Sequence, residues 1–325
     1  MKKKLILLPI TALLVQVAIA RQTPNERPRV IVSSDIGGTD PDDNQSIAPH
    51  DAPDIATKLR VYLIGGPNKK WGVNAYCYII EHFPNLWMIE NNTTYRGFIY
   101  DSKNPDQWNA GFFDAFIRDA GHLGRDFAAY YKCNPKLGDT PSLLYMMDGD
   151  PNHPEQQSWG GLFVRCNRTP RTVFYGASTA KDTAQICSVI EWQLKGPVRD
   201  DIAIDSACLT LDIRRQQWKG YYKGNGLYVL RHSTYYTGVL PYTITSTIDG
   251  FTPIKGEITI ENNWNVTSHP TDFKVGIHWW TDSYARTDFW KNCAGAQNQL
   301  CVRKEIMEDW PRRWQWLRED RPQSP

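Results

Sequence analysis

The segment DIGGTDPDD, residues 35–43, places Asp35, Asp40, Asp42 and Asp43 within nine positions. Carboxylates that converge so closely repel one another unless a cation neutralises them, and an all-oxygen cluster suits a hard ion such as calcium. The spacing is not that of an EF-hand loop. An acidic, solvated turn in which Asp42 or Asp43 caps the next helix accounts for the same residues.

Such a cluster needs a strand to deliver it. The apolar run RVIVSS, residues 29–34, ends directly before Asp35, and in a parallel α/β sheet ligands gather at the carboxyl ends of the strands. Gly37 and Gly38 permit a tight turn, and Pro41 stiffens the approach to Asp42 and Asp43. The runs LRVYLIGG at 59–66 and LWMIE at 86–90 read as further strands, with a helix through VNAYCYIIEHF between them. This alternation predicts an α/β sheet with parallel strands. Beyond about residue 200 come CLTLDI, GLYVLR, YTITSTI and GEITIE, alternating and rich in β-branched and aromatic residues, which predict a small β-sandwich. A last helix, from about Leu300 to Leu317, carries Trp310, Trp314 and Leu317 at helical spacing as a packing stripe.

Residues 1–20, MKKKLILLPITALLVQVAIA, have the basic start, short apolar centre and small-x-small end of a secretory leader. The expected domains are therefore the leader 1–20, an α/β domain 21–200, and a β-sandwich domain with a terminal helix, 201–325. The expected location is secreted or periplasmic, with no membrane span in the mature chain. The whole chain has 37 basic and 35 acidic residues. Lys2, Lys3 and Lys4 leave with the leader, which gives 34 against 35 and no reason to expect nucleic acid as a partner. Seven cysteines form no C-x-x-C pair, which argues against a zinc or redox motif. Trp159, in Trp159-Gly160-Gly161, could face a sugar ring, and Trp279 and Trp280 beside Asp282 could form a glycan surface; core packing explains all three as simply.

The segments DIGGTDPDDNQS, KLRVYLIGGPNKKWGVNAY, GDTPSLLY and SWGGLF resemble a secreted bacterial family of nucleoside-hydrolase-like, cellulose-binding proteins. The resemblance implies a nucleoside-hydrolase-like parallel sheet followed by an immunoglobulin-like β-sandwich. It implies Asp35 as both catalytic residue and calcium ligand, Asp43 and Asp139 as further calcium ligands, and Asp42 and Asn74 as residues that hold the sugar, with Trp159 a further substrate contact. Calcium is the implied cofactor and a carbohydrate or nucleoside-like small molecule the implied partner.

The sequence departs from that pattern in three places, one of them a longer loop between Asp35 and Asp42. Ser33 stands where nucleoside hydrolases carry another aspartate. After Ser46, His50-Asp51-Ala52-Pro53 follows almost at once, as though several βα units had been removed and the sheet truncated. The resemblance thus implies a calcium-dependent hydrolase of N- or O-glycosidic bonds, with a non-catalytic carbohydrate-binding protein and an inactive truncated homologue as the alternatives.

Overall fold

The computed structural model describes residues 60–64, 72–91, 114–131, 140–262, 273–290 and 293–318. The leader, the RVIVSS run, the junction from Ser46 to Asp51, and Asp35, Asp42, Asp43 and Asp139 all lie outside the described residues. The chain divides into a unit Met1–Ser34 and a unit Asp35–Pro325, and everything that follows concerns the second.

Among the described residues the architecture is mixed α/β, built on two sheets. The first has four strands in the order β1-β2-β12-β3: Arg60–Ile64, Trp87–Asn91, Trp279–Thr281 and Val164–Arg165. β1, β2 and β12 run parallel, and β3 pairs antiparallel with β12. Parallel neighbours need a crossover, which helix α1, Gly72–His82, supplies between β1 and β2. Its Val73, Tyr76, Cys77 and Ile80 follow the i, i+3, i+4, i+7 rhythm of one helix face, and all four are buried. The sheet has two distinct faces because side chains alternate along a strand. Val61, Leu63, Met88 and Trp279 join the core that holds α1, whereas Tyr62, Ile89 and Trp280 pack with Tyr145 and Phe163.

The second sheet has eight strands in the order β4-β6-β9-β8-β7-β10-β11-β5. These are Arg171–Tyr175, Val189–Lys195, Leu227–His232, Gln216–Tyr222, Ala207–Ile213, Gly238–Ser246, Ile254–Glu261 and Thr183–Gln185. The interior pairs are antiparallel and the two edge pairs, β4 with β6 and β11 with β5, are parallel. Hydrogen bonding links all eight strands into one ladder order, and since β6 and β10, four strands apart in it, bring Trp192 and Tyr242 into ring contact, the sheet curls over its own core. Residue 200 lies between β6 and β7 of this sheet, so strands on both sides of the expected domain boundary share it. On β6, Trp192 is fully buried, donates from Nε1 to Ser178 Oγ at 3.2 Å, and packs its ring 5.0 Å from that of Tyr242. Gly256 is required beside them, since a Cβ there would lie 2.4 Å from the Tyr242 hydroxyl.

One continuous apolar core runs from α1 and its sheet face into the inward side chains of β6 to β11. A buried ionic group ties the eight-stranded sheet to α1. Glu191 of β6 accepts from Arg171 Nη2 at 2.6 Å, Gln193 Nε2 at 2.8 Å and Arg231 Nε at 2.7 Å, and Arg231 Nη2 reaches Glu81 of α1 at 2.5 Å. Burial alone would raise the Glu191 carboxyl, but Arg231, Gln193 and Arg171 hold it below the usual carboxylate range.

A smaller core forms where helix α2, Gly121–Tyr131, and the π-helical turn Asp114–Arg118 meet the C-terminal helices. The other helices are α3, Thr140–Tyr145, α4, Ala296–Leu300, and α5, Arg303–Trp314, which continues as a 3-10 turn to Leu317. Trp310, Trp314 and Leu317 pack there with Ile117, Ala120 and Ala128. Among the described residues no helix is long and apolar enough to cross a membrane.

Candidate functional site

β1, β2 and β12 end side by side, with Ile64 opposite Asn91 and Glu90 opposite Thr281. This carboxyl edge collects an unusual density of buried polar side chains. Glu90, Asn91, Thr281, Asp282 and Ser283 are each at most 5% exposed. The first two complete β2, and the other three complete or follow β12.

Glu90 is the best defined of them. Tyr76 of α1 donates its hydroxyl to Oε1 at 2.9 Å, and Trp279 donates Nε1 to Oε2 at 3.1 Å. Burial pushes the Glu90 carboxyl up to about 7, against the pull of the Trp279 and Tyr76 hydrogen bonds, and the nearby Asp282 charge pushes the same way as burial. Asn91 points to the opposite face, where its amide donates to the Tyr62 hydroxyl at 3.2 Å. Ser283 donates to Asp288 Oδ2 at 2.5 Å, fixing the turn after β12.

The sequence-predicted residues fall around this edge unevenly. Asn74 is half-buried in the first turn of α1, two residues before Tyr76, and so stands on the turn that reaches Glu90. Trp159 is half-buried in a turn closed by Ser158, whose hydroxyl donates to the Gly161 carbonyl at 2.9 Å. That turn docks tightly on α3, for a Cβ at Gly160 would lie 2.7 Å from the Tyr145 backbone nitrogen. Tyr145 in turn packs its ring 5.6 Å from Tyr62. Trp279 and Trp280, the candidate glycan surface, are interior residues because β12 lies between β2 and β3 with side chains packed on both faces.

Sequence reasoning missed Glu90 and the place of Asp282. Glu90 reads as the polar end of an apolar strand, and nothing local announces that Trp279, 189 residues away, will donate to it. The signal that was legible is positional, since a carboxylate ending a strand in a parallel sheet sits where ligands gather.

Glu90 also sets a pH dependence. Its folded value of about 7 stands above its ordinary 4.5, so the stability it contributes is full below about pH 4.5 and is lost as pH rises through 7. Buried His232 behaves oppositely. Burial first, then the Arg214 charge, lowers it from 6.5 to about 3, so its contribution is full above 6.5 and is lost as pH falls toward 3. The two slopes oppose each other between pH 4.5 and 6.5. Glu90→Gln is expected to unmask the His232 slope, so that stability rises with pH across that window by up to about 1.4 kcal/mol per unit. Denaturant titrations at pH 5, 6 and 7 check this; parallel profiles for the two proteins would refute it.

A calcium ion is not accommodated by the described residues. No group of three or more His, Cys, Asp or Glu gathers among them, and Glu90 is already engaged and driven toward its neutral form. The calcium ligands implied by the resemblance are Asp35, Asp43 and Asp139, outside the described residues.

Residues 47–163 match the family model of the cellulose-binding Sde182, nucleoside hydrolase-like domain. This is the family that the sequence resembles. The nucleoside hydrolase-like segment carries β1, α1, β2, α2 and α3, and hence Asn74, Glu90, Asn91, Asp139 and Trp159. Its edge is completed by β12 from far downstream. No curated protein matches the chain. Among solved structures, a crystal structure of a candidate glycoside hydrolase from Bacteroides vulgatus is 16% identical, with a TM-score of 0.21. That match covers 25% of this chain and 17% of the other, too little to speak for either fold or function.

Proposed function

We propose that the carboxyl edge of the four-stranded sheet is a sugar pocket, and that the chain hydrolyses an N- or O-glycosidic bond of a carbohydrate or nucleoside-like small molecule. The observation that carries this reading is the gathering of buried Glu90, Asn91 and Asp282 at the ends of parallel strands. This edge is where α/β sheets bind ligands. The nucleoside hydrolase-like match over residues 47–163 supports it.

In this reading Asp35 takes the proton of the water that attacks the anomeric carbon, while positive charge develops on the ring. Asp42 and Asn74 hold sugar hydroxyls, and Trp159 lies against the ring. Asp35, Asp43 and Asp139 are the proposed calcium ligands. The leader directs the chain to the periplasm or beyond.

A second reading, carbohydrate binding without hydrolysis, is favoured by the matched family's description as cellulose-binding. The test compares this chain with a version carrying βα units inserted after Ser46, using calcium calorimetry and sugar release from a nucleoside and glycoside panel. Weak calcium binding and slow release are expected from the short chain, because a calcium ion needs six to eight oxygens that a shortened sheet supplies poorly. Faster release by the longer chain, abolished by Asp35→Asn, is the expected outcome. Sugar binding with no release from either chain would leave only the second reading, and equal affinity and turnover in both would show the inserted units to be dispensable.

A further inference from the structure

We infer that a second carbohydrate site, selective for sugars that carry a carboxylate, lies at one end of the eight-stranded sheet, where Tyr235 and Tyr236 stack beside Arg214. It is separate from the edge of the four-stranded sheet and does not rest on hydrolysis there.

The topology creates this surface. β9 and β10 are not neighbours; β8 and β7 lie between them, so the connection 233–237 must cross the end of the β7-β8 hairpin. The hairpin turns through Arg214 and Arg215, with φ of 52° and 60°. A two-residue turn with both φ positive favours Asn-Gly, and two arginines there adopt a left-handed backbone at some cost. The turn presents Arg214 to the crossing loop, with its guanidinium carbon 3.5 Å from the centre of the Tyr236 ring. The rings of Tyr235 and Tyr236 lie 4.3 Å apart at 32°, and their hydroxyls are 3.0 Å from each other.

The loop is held in place rather than loosely draped. Thr234 Oγ1 accepts from the Tyr236 backbone at 3.1 Å, and the Thr234 carbonyl accepts from Cys187 at 2.8 Å. Even so, Tyr235 is 57% and Tyr236 39% exposed, which is far more than a packed tyrosine needs. Immediately before the loop, His232 and Ser233 are 1% exposed, and neither side chain has a hydrogen-bond partner among the described residues.

The chemistry selects the ligand. Aromatic faces suit the C–H face of a pyranose ring. A guanidinium held over a ring face still offers N–H donors at its periphery, and these match a carboxylate with two parallel hydrogen bonds. Arg214 and Arg215 are exposed and form no ion pair among the described residues, while the nearest acid in the hairpin, Asp212, is engaged by Gln217 Nε2 at 2.9 Å. The complement of two stacked phenols and two unpaired guanidinium groups is a uronic-acid residue in a polysaccharide.

The experiment titrates the full chain by calorimetry with a galacturonic-acid oligosaccharide and with a neutral cello-oligosaccharide of equal length. The acidic ligand is expected to bind at least tenfold more tightly, and more weakly as salt rises. Tyr236→Ala should reduce that affinity tenfold or more. Arg214→Gln should abolish the preference for the acidic ligand and its salt dependence while circular dichroism is unchanged. Tyr235→Ala provides an independent reading should Tyr236→Ala fold poorly. No binding of the acidic ligand, equal binding of both ligands, or unchanged affinity in Arg214→Gln would each overturn the proposal. Asp35→Asn is expected to leave this binding intact, which separates its failure from that of the proposed hydrolysis.

Discussion

Arg231→Ala is expected to lower the folding free energy by about 3–5 kcal/mol, the range for removing one partner from a buried ion pair. Arg231 gives Nε to Glu191 and Nη2 to Glu81, so its loss strips a 1% exposed carboxylate of one of its two arginines and cuts the bond from β9 to α1. Arg171 alone cannot replace it, because it reaches only Oε1. The triple variant Glu191→Met, Arg171→Met and Arg231→Met should recover much of the loss, since apolar groups of similar size then leave only the part-exposed Glu81 without its partner. Urea denaturation of the three proteins checks both statements; a loss below about 1 kcal/mol in Arg231→Ala would mean that the group is solvated and does not tie the eight-stranded sheet to α1.

The second large effect belongs to Trp279. It is fully buried, packs edge-on to Tyr76 with centroids 6.3 Å apart, and supplies one of the two donors to Glu90. Trp279→Ala is expected to cost about 3–5 kcal/mol through lost contact and the cavity it leaves. Trp279→Phe keeps most of the volume but removes the donor, so it should cost about 1–3 kcal/mol and raise the Glu90 carboxyl further. Thermal unfolding gives the first quantity and the pH dependence of stability the second. If Trp279→Phe matched the parent in both, the hydrogen bond to Glu90 would have no energetic weight.

The elements with strong periodicity were legible in the sequence. The segment VNAYCYIIEHF became α1, and the alternating runs from Cys208 to Glu261 became β7, β9, β10 and β11, because their patterns match the periods of the structures they form. The stripe of Trp310, Trp314 and Leu317 likewise packs on one face. What escaped was short or non-local. β12 is three residues, too few for a period, and Trp-Trp-Thr becomes an interior strand only because β2 and β3 flank it. β4 and β6 precede the change in composition near residue 200, yet belong to the sheet that follows it.

The candidate site divides in the same way. The motif Asp35, Asp42, Asp43 was visible as a dense carboxylate run, and Asn74 through its resemblance to a sugar-holding residue. Glu90 and Asp282 act through partners 189 residues apart or on a neighbouring strand, and pairing of that kind is fixed by topology rather than by spacing.

The proposed placement of a sugar pocket at this edge is tested most directly by calorimetric titration of the full chain and its Asp282→Asn variant with free ribose and glucose, the products that the proposed hydrolysis would release. Asparagine keeps the shape of aspartate and removes its charge, so the fold should persist while a charge-assisted hydrogen bond to a sugar hydroxyl is lost. The expected result is saturable binding of one of these sugars by the parent and an affinity at least about tenfold lower in the variant. Equal affinity in the two proteins, or no binding of either sugar by the parent, would contradict the placement of the pocket at the carboxyl edge of the four-stranded sheet.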